Sequence, residues 1–220
     1  MKTFNHLDLP ELPKLSRKNI DGKRMYCTES GDRFPSVTSV LSVRGKKGIF
    51  EWRQRVGAEA ADQISRKAST RGTRIHKLCE DYLNNKPLPE LSLLDKDTWS
   101  TFRPIVERID NIHRVEPFMF SKHLGMAGQC DCIAEFDGKL SIIDFKTSRR
   151  LKRHDQISGY YAQCAAYAIM YEELTGIAIN RTVILIAVDG EQPQVFTEKR
   201  DNYVDYLLES KRMFENGLYD

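Results

Sequence analysis

Residues 128–148 read Gly-Gln-Cys-Asp-Cys-Ile-Ala-Glu-Phe-Asp-Gly-Lys-Leu-Ser-Ile-Ile-Asp-Phe-Lys-Thr-Ser. Two strand-like runs, 128–136 and 139–146, flank Asp137-Gly138, a dipeptide suited to two-residue hairpin turns. Such a turn sets Phe136 opposite Lys139. Counting outward places Asp131 opposite Asp144 and Gln129 opposite Lys146, all on one face, because residues two apart along a strand share a side. Directly opposed residues hold their Cβ atoms ~4.5–5.5 Å apart. Two carboxylates at that spacing repel, and a divalent cation between them removes the repulsion. Oxygen donors suit Mg²⁺ and accept Mn²⁺ as well. Two acids, a cation and the Lys146 ammonium form a set suited to phosphodiester hydrolysis: the metal polarises a phosphate and acidifies a water, and the lysine stabilises developing charge. Asp-x-Lys alone is common on surface strands, but Ile142, Ile143 and Phe145 mark a buried strand, where charges need partners.

Outward from this hairpin the periodicity alternates between strand and helix. Upstream, Asp21-Gly22 within residues 14–28 predicts a smaller hairpin, and Ser36 is placed to cap a short helix over 37–42. Residues 49–67 read as broken helix. Residues 70–84 read as a stronger one, with Ile75, Leu78, Cys79 and Tyr82 on its buried face. Lys86-Pro87-Leu88-Pro89 ends it, and Asp95 caps a further helix running through His113. Residues 115–121 read as a strand whose Pro117 points to a sheet edge or a bulge. A long helix over 155–175, an apolar strand over 182–188, a short strand over 194–197 and a helix over 202–214 follow. This order predicts an α/β domain with a central mixed sheet flanked by helices. Cys130 and Cys132 alternate with Asp131 and are expected together on the opposite, buried face.

The chain has 220 residues, 30% of them charged and 40% hydrophobic, an ordinary folded composition rather than a disordered or membrane-embedded one. That length suits a single domain over 1–220: an N-terminal hairpin and basic helical portion (1–70), a core (71–188), and a C-terminal strand and helix (189–220). No apolar run approaches the ~18 residues of a membrane helix. Asp8 and Glu11 speak against a signal or transit peptide, so a cytoplasmic location without membrane partners is expected. Five thinly spread cysteines read as reduced thiols. The net charge is only +3, but its distribution is uneven. Residues 44–74 carry nine Lys/Arg against three acids, Arg149, Arg150, Lys152, Arg153 and His154 form a second cluster, and 189–220 holds eight acids against four bases. Local basic tracks on a nearly neutral chain fit a polyanion, although solvated helix faces produce the same pattern. No Gly-rich phosphate loop or nucleophile motif points to a small-molecule phosphatase.

Gly128-Gln129-Cys130-Asp131, then Ile143-Asp144-Phe145-Lys146-Thr147-Ser148, then Gln163 with Tyr167 four residues on, resemble in order the motifs of the RecB-like branch of the PD-(D/E)XK nuclease superfamily. Arg71-Gly72-Thr73-Arg74-Ile75-His76 is similar to that branch's helical Gly-Thr-x-x-His motif. Phe34-Pro35-Ser36-Val37-Thr38 resembles the Pro-Ser-Val-Thr signature of its phage exonucleases and mitochondrial genome maintenance exonucleases. The resemblance implies a restriction-endonuclease-like core. It further implies His76, Asp131, Asp144 and the Phe145 backbone carbonyl at the metal and Lys146 as the catalytic lysine, with Glu116 where several relatives carry a further acid. Gln163 and Tyr167 would meet DNA or the reacting groups, and their i, i+4 spacing puts them on one helix face. His76 and Glu80 share a face in the same way, and Glu80 is also within reach of Lys77 or Arg74. Of Tyr160 and Tyr161, one is expected in the core; stacking on bases is the other role open to such a residue. Some relatives bind an iron–sulfur cluster through cysteines after the last motif. This chain has no cysteine beyond Cys164, so none is expected.

The expected function is therefore that of an Mg²⁺-dependent exonuclease, with Mn²⁺ substituting, acting as a monomer from free ends of preferably single-stranded DNA. In the relatives it resembles, a basic arch threads the strand. Arg53, Arg55, Arg71, Arg74, Ser148 and Arg149 are the candidate DNA contacts here. Overall resemblance and small size suggest a phage source. A structure-specific endonuclease on the same core and an inactive DNA-binding module are the alternatives; retention of Asp131, Asp144 and Lys146 weighs against the second.

Overall fold

The computed structural model describes residues 2–20 and 22–220. The chain opens with β1 (Leu15–Ile20), β2 (Lys23–Thr28) and β3 (Arg33–Pro35), then α1 (Val37–Leu41), α2 (Lys46–Val56), α3 (Ala58–Leu83) and α4 (Leu93–Val106). Five strands follow: β4 (Ile109–Val115), β5 (Phe118–Ser121), β6 (Met126–Gln129), β7 (Cys132–Phe136) and β8 (Lys139–Ser148). The chain ends with α5 (Ser158–Thr175), β9 (Arg181–Val188), β10 (Gln194–Lys199) and α6 (Val204–Glu215). The central sheet has the order β10-β9-β8-β7-β4, with β8 and β9 parallel and the other pairs antiparallel. This is the expected mixed sheet flanked by helices.

Both faces of that sheet are covered, which is why β9 carries a nearly unbroken apolar run and β8 buries Ile142, Ile143 and Phe145 in succession around Asp144. On one face Ile75, Leu78, Cys79 and Tyr82 of α3, with Trp99 and Phe102 of α4, pack on Cys132, Ala134, Ile143, Phe145 and Leu185. On the other, α5 and α6 pack on Ile133, Ile142, Ile184 and Ile186. Each fully buried large side chain stabilises the fold by about 1.5–3 kcal/mol. All five cysteines are buried thiols. Among the described residues no helix is long and apolar enough to cross a membrane.

Several local expectations hold. Ser36 caps α1, its Oγ accepting from the Ser39 N–H at 3.0 Å. The first hairpin pairs Ile20 with Lys23 and Leu15 with Thr28, while Asp21 of its expected turn lies outside the described residues. The helix expected over 70–84 begins much earlier: Gly57, at φ 86°, ends α2, and α3 then runs unbroken from Ala58. The helix expected from Asp95 through His113 is also corrected. Ser92 is its cap, with the Asp95 N–H donating to Ser92 Oγ at 3.2 Å, and it stops at Val106. Residues 109–115 form a strand instead, because Ile109 and Ile112 bury against the core and β7 offers a ladder. The outer edge of β4 is covered by residues 5–7: the Ile112 N–H donates to Asn5 O and the Leu7 N–H to Ile112 O, both at 2.8 Å.

The decisive hairpin is regular from Phe136 opposite Lys139 to Cys132 opposite Ile143, as the Asp137-Gly138 turn requires. It ends there. The chain breaks at Cys130 and Asp131, and β6 pairs with β5 in a separate two-stranded sheet. The Glu116 N–H donates to Asp131 O at 2.9 Å and the Cys130 N–H to Pro117 O at 3.1 Å, which pulls this segment out of the ladder. Gln129 therefore faces Phe118, not Lys146. Cys130 enters the α5 side of the core and Cys132 the α3 side, so the expectation that they share a face is corrected. The strand expected over 115–121 is likewise interrupted, at Glu116 (φ 54°) and Pro117.

Candidate active site

The interruption between β6 and β7 assembles the site. Asp131, only 8% exposed, sits where a continued strand would have run. Its Oδ2 accepts the Phe145 N–H at 2.7 Å, so a carboxylate replaces a ladder partner for β8. Its Oδ1 lies 3.3 Å from Nδ1 of His76. His76 is delivered by α3, whose apolar face packs on the same strand, with the imidazole perpendicular to the Phe145 ring at 6.3 Å. Glu116 is held in the β4–β5 turn by the hydrogen bond from its own N–H to Asp131 O. One ligand atom each from His76, Glu116 and Asp131 lie within 4.8 Å of one another.

Asp144 stands beside this trio rather than within it. The expected cross-strand pairing of Asp131 with Asp144 does not form, because Asp131 lies beyond the last ladder pair. Asp144 is 1% exposed and faces α5, where its Oδ1 accepts from Gln163 Nε2 at 3.1 Å. Its Oδ2 forms an ion pair with Lys146. The Lys146 ammonium lies 5.0 Å from the centre of the Tyr160 ring. Gln163 also donates to Tyr167 Oη at 3.3 Å. The Tyr167 ring in turn abuts Gly128, where a Cβ would stand 2.6 Å from Cε1, so this position admits only glycine without a shift.

Charge at the site is unbalanced. Burial raises the Glu116 carboxyl to about 8; the Asp131 charge adds to that and His76 opposes it. Burial also raises Asp144, against the pull of Lys146. For Asp131 burial is outweighed by His76, Lys146 and the Phe145 N–H, which hold it below the usual carboxylate range. For His76 the Asp131 carboxylate outweighs burial and raises it. For Lys146 likewise, Asp144 and Asp131 overcome burial and keep it protonated. Three buried or half-buried acids thus share one lysine and one histidine. One nitrogen and several hard oxygen donors together fit a divalent cation.

The remaining expected residues are scattered. Arg71, ion-paired with Asp189, and Arg74, with Nε 3.4 Å from Asp95, line a second cleft of ≈ 460 Å³ with Lys67 and Arg149. Arg53 of α2 pairs with Asp62 at 2.8 Å, and neither it nor Arg55 lines the cleft that holds His76. The Ser148 hydroxyl is engaged locally, donating to Arg150 O at 2.6 Å. Glu80 is taken by Lys77 at 3.1 Å. Tyr161 is the core aromatic of its pair, packed on Tyr203 at 4.6 Å, while Tyr160 borders Lys146.

Two residues escaped the sequence reading. Arg17 and Arg24 of the β1–β2 hairpin line the ≈ 180 Å³ cleft formed by His76, Glu116, Asp131, Gln163 and Tyr167. Pairing arithmetic applied at Asp21-Gly22 puts the two on one face, with Arg17 opposite Tyr26 and Asn19 opposite Arg24, but carries no signal that this face meets the site.

The family model of the PD-(D/E)XK nuclease superfamily matches residues 97–210. The human mitochondrial genome maintenance exonuclease 1 is 25% identical over 170 residues, covering 63% of this chain and 49% of that protein. Its Xenopus tropicalis counterpart is 26% identical over 175 residues, covering 72% of this chain and 50% of that one. The chain spans about half the length of these curated relatives. A solved structure of an exonuclease candidate from Eubacterium rectale, at 16% identity and a TM-score of 0.37 over 62% of this chain and 70% of that one, is too distant to bear on the site. The family match covers slightly more than half of the chain, and within it fall Glu116, Asp131, Asp144, Lys146, Gln163 and Tyr167; this chain belongs to the PD-(D/E)XK nuclease superfamily.

Proposed function

We propose that the protein is a metal-dependent exodeoxyribonuclease that works as a monomer from free ends, preferably of single-stranded DNA. The observation that carries this reading is the crowding of Glu116, Asp131 and Asp144 around His76 and Lys146, with Glu116 lifted to about 8 by burial and by the Asp131 charge beside it. His76, Glu116 and Asp131 would hold the cation, with Asp144 and the Phe145 carbonyl alongside. When bound, it supplies Lewis acidity toward a phosphate oxygen and an attacking water. Lys146, kept protonated by its two aspartates, is placed to neutralise charge that grows on the phosphate. Gln163 fixes the Asp144 carboxylate through Oδ1, and Tyr167 anchors Gln163 in turn. Lys67, Arg71, Arg74 and Arg149 offer a basic track for the backbone along α3, in which Arg71 and Arg74 would exchange Asp189 and Asp95 for phosphates. The exonuclease names of the curated relatives support end-dependence, and they belong to proteins about twice the matched length.

The test compares a linear single strand, labelled at either end, with a circular strand of the same sequence, in Mg²⁺, in EDTA and with Lys146→Ala. The expected result is degradation of the linear strand alone, lost in EDTA and in the variant, with the label giving polarity. Cutting of the circle would make the protein an endonuclease. Binding without cutting of either strand would make it an inactive DNA-binding module.

A further inference from the structure

We infer that the β1–β2 hairpin is a phosphate clamp of the active site, with Arg17 and Arg24 gripping a DNA backbone phosphate next to the one being cleaved. The inference rests on the nuclease reading above and adds a substrate-positioning element to the cleft.

Exposed arginines on a hairpin are common, and three observations set these two apart. The first is direction. Arg17 pairs with Tyr26 and Asn19 with Arg24 across the hairpin, so both arginines share the face of Tyr26. Tyr26 is buried and meets Phe118 edge-on at 5.7 Å, which seats that face against β5, and both arginines, themselves exposed, line the cleft with His76, Glu116 and Asp131. The second is anchoring. The Ser36 N–H donates to Arg24 O at 3.3 Å, and Ser36 bridges to Ala127 of β6, whose last residues, Gly128 and Gln129, line the same cleft. The hairpin is therefore tied to the strand that leads into Asp131. The third is availability. Arg53, Arg71 and Arg74 each have a carboxylate partner, whereas among the described residues neither Arg17 nor Arg24 has one within ion-pair distance. Two guanidiniums without a carboxylate partner among the described residues, lining a cleft that holds carboxylates, are matched by a phosphodiester, whose oxygens accept from a guanidinium fork in bidentate fashion. The clamp also solves a problem of charge, since the acids that suit a cation would otherwise repel the strand.

The experiment uses the full chain with a linear single-stranded oligonucleotide in Mg²⁺, and compares wild type with the Arg17→Gln/Arg24→Gln double variant. A set of oligonucleotides carries one neutral methylphosphonate each, moved along the strand. The expected result is a KM raised roughly tenfold or more with a smaller change in kcat, as loss of charge-assisted hydrogen bonds predicts. The salt slope of binding should fall by about 0.7 for each phosphate contact removed. At one methylphosphonate position the penalty seen with wild type should vanish in the variant. The Arg17→Lys/Arg24→Lys variant, which keeps the charge and loses the fork, should restore the salt slope while leaving KM raised. Unchanged KM and salt slope in a folded, active double variant would overturn the clamp alone. So would equal penalties in wild type and variant at every methylphosphonate position. A wild-type protein that cleaves no DNA would overturn the nuclease reading, and the clamp with it.

Discussion

At the closed end of the β7–β8 hairpin, Asp137 and Gly138 take positive φ angles of 53° and 70°, Phe136 is fully buried, and Arg108 grips the Asp137 carboxylate at 2.9 and 2.6 Å while covering the Phe136 ring. At the open end, some 15 Å along the same strands by the usual rise per residue, the ladder stops at Cys132 and Ile143, and a side chain serves where backbone would have bonded. One end satisfies its polar groups and spreads its charges in solvent. The other gathers three acids around one lysine and one histidine in a partly buried space. Regular pairing supplies a rigid frame, and the departure from it is where chemistry has room, as expected when a fold breaks its own local rules at a functional site.

Substitutions at the two ends should therefore fail differently. Asp131→Asn keeps shape and removes charge, so turnover should fall on the order of 10³-fold with the melting temperature nearly kept; wild-type turnover would dissolve the contrast. Phe136→Ala at the closed end should cost about 3–5 kcal/mol in denaturant titrations, with turnover per folded molecule retained. Gly128→Ala drives a methyl into the Tyr167 ring and should cost about 1–3 kcal/mol, with activity falling further than stability because Gln163 and Asp144 follow the ring. Glu116 binds its proton more tightly folded than unfolded, so its stabilising contribution is full below about 4.5 and is lost as pH rises through about 8. Asp131, held low, acts below that window. The rise in melting temperature on adding Mg²⁺ to chelator-treated protein should therefore grow between pH 5 and 8, and a gap independent of pH would remove the crowding argument. Smallest is Arg108→Ala, expected to cost less than ~1 kcal/mol by thermal melting because its ion pair is nearly half exposed.

What the sequence made legible was whatever short-range chemistry decides. Asp137-Gly138 announces its turn, Ser36 its cap, and the spacing of Ile75, Leu78, Cys79 and Tyr82 its buried face, and all three stand in the structure. The alternation Gln129-Cys130-Asp131-Cys132 carries no mark of a break, because the break is imposed by hydrogen bonds to Glu116 and Pro117, more than ten residues away. Residues 109–115 lack a Gly or Pro boundary after Val106, so the helical reading ran on; only the ladder of β7 converts them to a strand. Pro104, inside α4, marks no boundary either. Within the site, the Asp144–Lys146 spacing and the Gln163–Tyr167 helix face were legible. Glu116 was legible only through resemblance, and the convergence of Arg17 and Arg24 required the hairpin to be seated on β5 and β6.

The buried thiols have a consequence for kinetics. Only the thiolate reacts with alkylating reagents, and burial raises Cys79, Cys130, Cys132 and Cys164 above the ordinary thiol range. Labelling of the native protein must therefore wait for the chain to open. Cys130 and Cys132, two residues apart, belong to opposite layers of the core. The order in which they become labelled times the loosening of the α5 layer and the α3 layer separately, a record of unfolding written on either side of Asp131.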